Sequence, residues 1–167
     1  MSIERVKDYF RKHKMEQRIQ EFETSSATVE LAAAALKCEP MRIAKTLSFM
    51  VGETAILVVT AGDAKVDNQK FKTMFGVKAK MLSPDEVEHA IGHGIGGVCP
   101  FGIKEGVRVY LDCSLKRFQT VFPACGSSNS TENKTNSNKA ASGSAVTENK
   151  KTSRDVSDVD GPALKDL

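Results

Sequence analysis

An α+β domain, with a mixed, barrel-like β-sheet flanked by helices, is the fold class this sequence predicts. Three observations point to it. The continuous apolar run Ala55-Ile56-Leu57-Val58-Val59 reads as a strand buried on both faces. Amphipathic and alanine-rich stretches, each preceded by a good capping residue, read as helices. Strands and helices mix without a regular βαβ rhythm, and the glycine cluster follows a helix, which argues against a dinucleotide-binding or P-loop reading.

The elements follow in order. Ile3, Val6, Tyr9 and Phe10 share one face of a first helix at three- and four-residue spacing. Gln20–Thr24 predicts a short strand. Ser26 or Thr28 can cap an alanine-rich helix running to Leu36. Pro40 suits the first turn of another short helix, expected to end near Lys45 before an apolar strand to Val51. Thr54–Ala61 is the clearest strand. Asp67 can cap a helix carrying Phe71, Met74 and Phe75, and Ser83 with Glu86 stands at capping-box spacing before the next. After the glycine loop come a strand over Val107–Asp112, a helix near Leu115–Phe118 and a strand over Val121–Cys125.

Composition changes after Gly126. From Ser127 to Leu167 there is no aromatic residue, and Ser, Thr, Asn and Lys make up just over half of the segment. So little apolar surface does not offset an ordering entropy of roughly 1–2 kcal/mol per residue. The folded domain is expected over residues 1–126, with a low-complexity, disordered tail over 127–167. The 167-residue chain carries a net charge of +3, with Lys and Asp/Glu interleaved rather than gathered into a basic face. That charge is too small to argue for non-specific nucleic-acid binding, and it leaves open contact with one end of an RNA. No apolar run approaches the ~18 residues of a membrane span, and the charged N-terminal stretch has no signal-peptide h-region. Cys38, Cys99, Cys113 and Cys125 show no CxxC spacing and read as reduced thiols of a cytoplasmic protein.

Several residues have the chemistry of a site. Lys45, placed where a short helix passes into a strand, is either an exposed lysine complementing the helix dipole or a cation reaching into a cleft. The loop Gly96-Gly97-Val98-Cys99-Pro100-Phe101-Gly102 is either a plain turn or a main-chain cradle for a small polar group. His89 and His93 stand four apart but lack a third metal ligand. Cys99 is either a small apolar side chain or a thiolate nucleophile paired with His93. Asp112 either forms a turn or orients a substrate amine or water. Gly126 and the serines after it read as a turn offering hydroxyls.

Together these pieces resemble the YbaK/ProX family of aminoacyl-tRNA deacylases, also found as an editing domain in some prolyl-tRNA synthetases. The matching segments are Arg42–Leu47, Ala61–Asp67, Gly96–Gly102, Tyr110–Asp112 and Phe122–Ser130. Each is weak alone, but their order and spacing are specific. The resemblance implies a mixed β-barrel flanked by helices and hydrolysis of a mischarged tRNA in trans, with tRNA for proline the expected substrate and no cofactor or metal. It also implies catalytic roles for Lys45, Gly96, Gly97 and Pro100. Expected substrate-binding residues are Ser26, Thr28, Phe49, Gly102, Asp112, Gly126 and Ser127. Leu47 and Val59 are further expected pocket residues, and the hydroxyls near Ser26 hint at a small or hydroxylated amino acid. The implied partners are the aminoacyl-tRNA acceptor end and prolyl-tRNA synthetase. A non-catalytic tRNA- or synthetase-binding module using the same pocket is the alternative. Family members continue after the Gly-Ser segment with an apolar strand, which is expected here to be absent or replaced.

Overall fold

The computed structural model describes residues 2–128 and 130–132. The predicted fold class is observed: a mixed sheet flanked by four α-helices among the described residues. The central sheet holds β2 (Ile43–Val51), β3 (Thr54–Ala61), β4 (Arg108–Leu111) and β5 (Phe122–Pro123), in the order β4-β3-β2-β5. β2 and β3 form an antiparallel hairpin, with Ala44 opposite Ala61 and Val51 opposite Thr54. The outer strands β4 and β5 both run parallel to their neighbours.

β3 lies where its apolar run predicts, and every residue from Ala55 to Ala61 is buried. A side chain such as Leu57 or Val58, fully removed from water, contributes roughly 1.5–3 kcal/mol. Helix α1 (Ser2–Lys12) buries Ile3, Val6 and Phe10, and Phe10 meets Phe101 edge-on at 4.7 Å. Helix α2 (Val29–Leu36) is capped by Thr28, whose hydroxyl accepts from the Leu31 N–H at 3.2 Å. Asp67 caps α3 (Asn68–Phe75), and Ser83 and Glu86 close a capping box on α4 (Pro84–Ile91). Phe71 of α3 packs against Phe49 of β2 at 4.9 Å. No helix among the described residues is long and apolar enough to cross a membrane.

Four expectations are corrected. The helix begun by Pro40 is a single 3-10 turn, Pro40–Arg42, because Ile43 already pairs with Phe122. Lys45 therefore sits inside β2 rather than at a helix end. The helix expected near Leu115–Phe118 is a 3-10 turn, Cys113–Arg117, capped by Asp112. The strand expected over Val121–Cys125 shrinks to Phe122–Pro123, since Pro123 has no N–H for a ladder and Gly126 turns the chain at φ 83°. Finally, a last strand is present. β6 (Ser130–Glu132) pairs antiparallel with β1 (Ile19–Glu21), so the first residues after Ser127 join the fold. The remainder of the expected tail, 133–167, lies outside the described residues.

Candidate functional site

A cavity of about 320 Å³ opens between β2, the entries to α2 and α4, and the glycine loop. Ser26, Ala27, Thr28 and Val29 form one wall, and Leu82, Pro84 and Val87 another. Successive residues of a strand point to opposite faces. Phe49 turns toward Phe71, whereas Ala44, Thr46 and Ser48, offset by one, line the cavity. Ile95, Gly96 and Val98 close it from the loop, with Phe122, Ala124 and Ser130 beside them.

Lys45 reaches the rim of this cavity, half-buried, and its Nζ donates to the Gly62 carbonyl at 3.2 Å. Burial lowers its pKa below that of an ordinary lysine, an effect opposed by the carboxylate of Asp63. Asp63 is in turn held by the Arg117 guanidinium, whose Nη1 donates at 3.0 Å.

The loop is fixed on several sides. Gly96 has φ 81°, and a Cβ there would lie 2.9 Å from the Ala27 Cβ, so glycine lets the loop close on the first wall. The Gly126 N–H donates to the Gly97 carbonyl at 3.0 Å. Ser128 O accepts from the Ser26 N–H and from the hydroxyls of Ser25 and Ser26, strapping the Gly126 turn to the wall. Ser127 and Ser130 share a hydroxyl–hydroxyl bond of 2.6 Å. Gly102 rests against the backbone of Arg5 in α1.

The structure thus gathers Lys45, Gly96, Ser26 and Thr28 around one cavity. Gly97, Gly126 and Ser127 lie together behind the loop, and Pro100 is buried within it. Phe49 is in the core, and Asp112 accepts from the Ser114 N–H at 3.0 Å, so neither lines the cavity. Leu47 and Val59 do not line it either. Cys99 and His93 do meet, Sγ to Nε2 at 3.6 Å, but both are fully buried and neither borders the cavity. His93 Nε2 donates to the Phe101 carbonyl at 2.7 Å, and burial lowers the pKa of the ring. Among the described residues no group of three His, Cys, Asp or Glu is placed to hold a metal. Thr46, Ser48 and the α4 entry were missed in the sequence. The signal available was the pair of hydroxyl residues at alternate positions in an otherwise apolar strand.

A family model described as an aminoacyl-tRNA editing domain matches residues 23–137, which include every residue lining the cavity. The chain belongs to the aminoacyl-tRNA editing domain family. Within reach of this editing domain stands the uncharacterised protein YwhH of Bacillus subtilis (strain 168). It is 58% identical over 131 residues, covering 78% of this chain and 83% of that protein. A solved structure of a candidate trans-editing enzyme for prolyl tRNA synthetase is 28% identical with a TM-score of 0.71, covering 78% of this chain and 83% of that one. The proline–tRNA ligase of Geobacillus sp. (strain WCH70) is 29% identical over 100 residues, 59% of this chain but only 17% of the ligase. Helix α1 lies outside the span matched by the editing-domain model.

Proposed function

We propose that this editing domain is a free-standing deacylase that hydrolyses the ester bond of mischarged tRNA in trans, with tRNA for proline carrying a small non-cognate amino acid as its substrate. The observation that carries the reading is the cavity of about 320 Å³ lined by both Lys45, whose ammonium is held on the Gly62 carbonyl, and Gly96 of the glycine loop. A pocket of that size suits a small aminoacyl group together with part of the terminal ribose.

Water attacks the ester carbonyl carbon, a tetrahedral oxyanion forms, and the bond to the ribose oxygen breaks to release the amino acid and the free tRNA end. The resemblance to the family implies that the tRNA's own terminal ribose hydroxyl assists the water, with no side-chain nucleophile, and the proton the water loses ends on the leaving ribose oxygen. Lys45 positions the ester and meets the developing negative charge, while the glycine loop brings main chain close to it. Fixed donors of this kind are worth a few kcal/mol each in the transition state. The family match and the trans-editing neighbour support the reaction class. The test is a panel of mischarged tRNAs incubated with the protein and with Lys45→Ala. Amino-acid release lost in the variant is the expected result. Binding of tRNA without release from any substrate would favour a recognition module instead.

A further inference from the structure

The carbonyl on which the Lys45 ammonium rests belongs to Gly62, and the chain is gripped on both sides of it. Ala61 ends β3, and its N–H donates to the Ser114 hydroxyl at 3.0 Å. The Asp63 carboxylate accepts from both terminal nitrogens of the Arg117 guanidinium, with Nη1 at 3.0 Å. Ser114 and Arg117 both lie in the 3-10 turn Cys113–Arg117 that Asp112 caps. Arg117 also lies over the Phe118 ring, 4.9 Å from its centroid. Gly62 itself is backed by the 3-10 turn Pro40–Arg42. A Cβ at position 62 would collide with the Pro40 carbonyl oxygen, and the Gly62 N–H donates to the Met41 carbonyl at 3.4 Å.

The two side chains of the ion pair are 43% and 46% exposed, where such pairs add little to folding. A forked guanidinium–carboxylate pair does fix geometry, however. We infer that Asp63 and Arg117 are positioning residues for Lys45: the pair fixes the Gly62 carbonyl and with it the ammonium, and the Asp63 carboxylate supplies negative charge that keeps the lysine protonated. The inference rests on the deacylase reading of the same site. Neither residue borders the cavity, so both act through Lys45. Burial disfavours the charged ammonium, Asp63 opposes it, Lys65 adds to it, and Glu30 of α2 opposes it least. Arg117 keeps Asp63 ionised by bonding its carboxylate, holding it below the usual carboxylate range.

The experiment compares the full chain with Asp63→Asn and Arg117→Gln on the panel ester that the wild type hydrolyses fastest, after subtraction of uncatalysed hydrolysis. Both variants are expected to unfold close to the wild-type midpoint and to lose kcat by roughly tenfold through misplacement of the ammonium. KM stays within about twofold, because the ammonium acts on charge that develops in the transition state. The pH profile then separates the two residues. Asp63→Asn removes the carboxylate, so the alkaline limb begins at lower pH, whereas Arg117→Gln keeps it and does not move the limb down. Wild-type kcat in both variants overturns the proposal. So does an unmoved limb in Asp63→Asn, or a variant that fails to fold, either of which would make the pair part of the scaffold alone. Hydrolysis of no ester by the wild type overturns the deacylase reading instead. In that case NMR titration of isotope-labelled lysine Cε, with Lys45 assigned by the signal lost in Lys45→Ala, still tests the pair. A lower Lys45 midpoint in Asp63→Asn supports it, and an unchanged midpoint overturns it.

Discussion

Gly97 is packed so tightly on Gly126 that a Cβ at position 97 would lie 2.5 Å from the Gly126 carbonyl carbon. The same pair is joined by the hydrogen bond from the Gly126 N–H to the Gly97 carbonyl. Because both partners are backbone, neither can swing aside. Gly97→Ala is expected to displace the loop or the turn and destabilise the domain by roughly 1–3 kcal/mol, the range for overpacking. Thermal or denaturant unfolding measures it, and an unchanged midpoint would show that the two segments are free to part.

Lys45 has a different profile. Its ammonium makes one hydrogen bond, to the Gly62 carbonyl, so Lys45→Ala should leave the unfolding transition nearly unmoved. Deacylation should fall by roughly 10²–10³-fold if the ammonium meets charge that develops in the transition state. Burial already favours its neutral form, so the alkaline limb of the rate profile should begin below the ordinary lysine value of 10.5. A profile flat to pH 10.5 would remove the charge from the mechanism.

Acid should loosen the glycine loop. His93 is buried with Nε2 engaged by Phe101 O and Nδ1 without a partner, Arg5 lies nearby, and the Cys99 thiol touches the ring. Its folded-state pKa lies below 6.5, chiefly through burial, so the unfolded chain takes up the proton first as pH falls. The stability this neutral ring contributes is full above pH 6.5 and declines below it, toward the folded-state value. Urea unfolding between pH 5 and 8 should show that decline in the wild type and a flatter curve in His93→Gln.

Cys99 separates two chemistries. Its thiol is fully buried and lies off the cavity. Cys99→Ala should cost stability of about 1 kcal/mol, typical of a core truncation of this size, and leave deacylation near wild type. Abolished turnover in a folded Cys99→Ala protein would restore the nucleophile reading.

Elements whose local signal and tertiary context agree were legible in the sequence. β3 follows from an unbroken apolar run, and the starts of α2, α3 and α4 follow from side chains that satisfy backbone N–H groups locally. Lys45 and Gly96 were found as parts of motifs. Phe49 was expected at the pocket, but the strand period turns it to Phe71 instead. That same period brings Thr46 and Ser48 to the cavity, and a start of β2 at Ile43 would have revealed it. β6 is polar, three residues long and without periodicity, so only its distant partner β1 makes it a strand.

That last pairing has a topological consequence. Ile19 stands opposite Glu132 and Glu21 opposite Ser130, so the chain enters and leaves this part of the fold at neighbouring points. The gap between them is one strand spacing, about 5 Å. The part of the fold between β1 and β6 is thereby closed on itself, with α1 packed onto it from outside that span. A longer protein, a proline–tRNA ligase, carries a similar stretch that makes up 17% of its length.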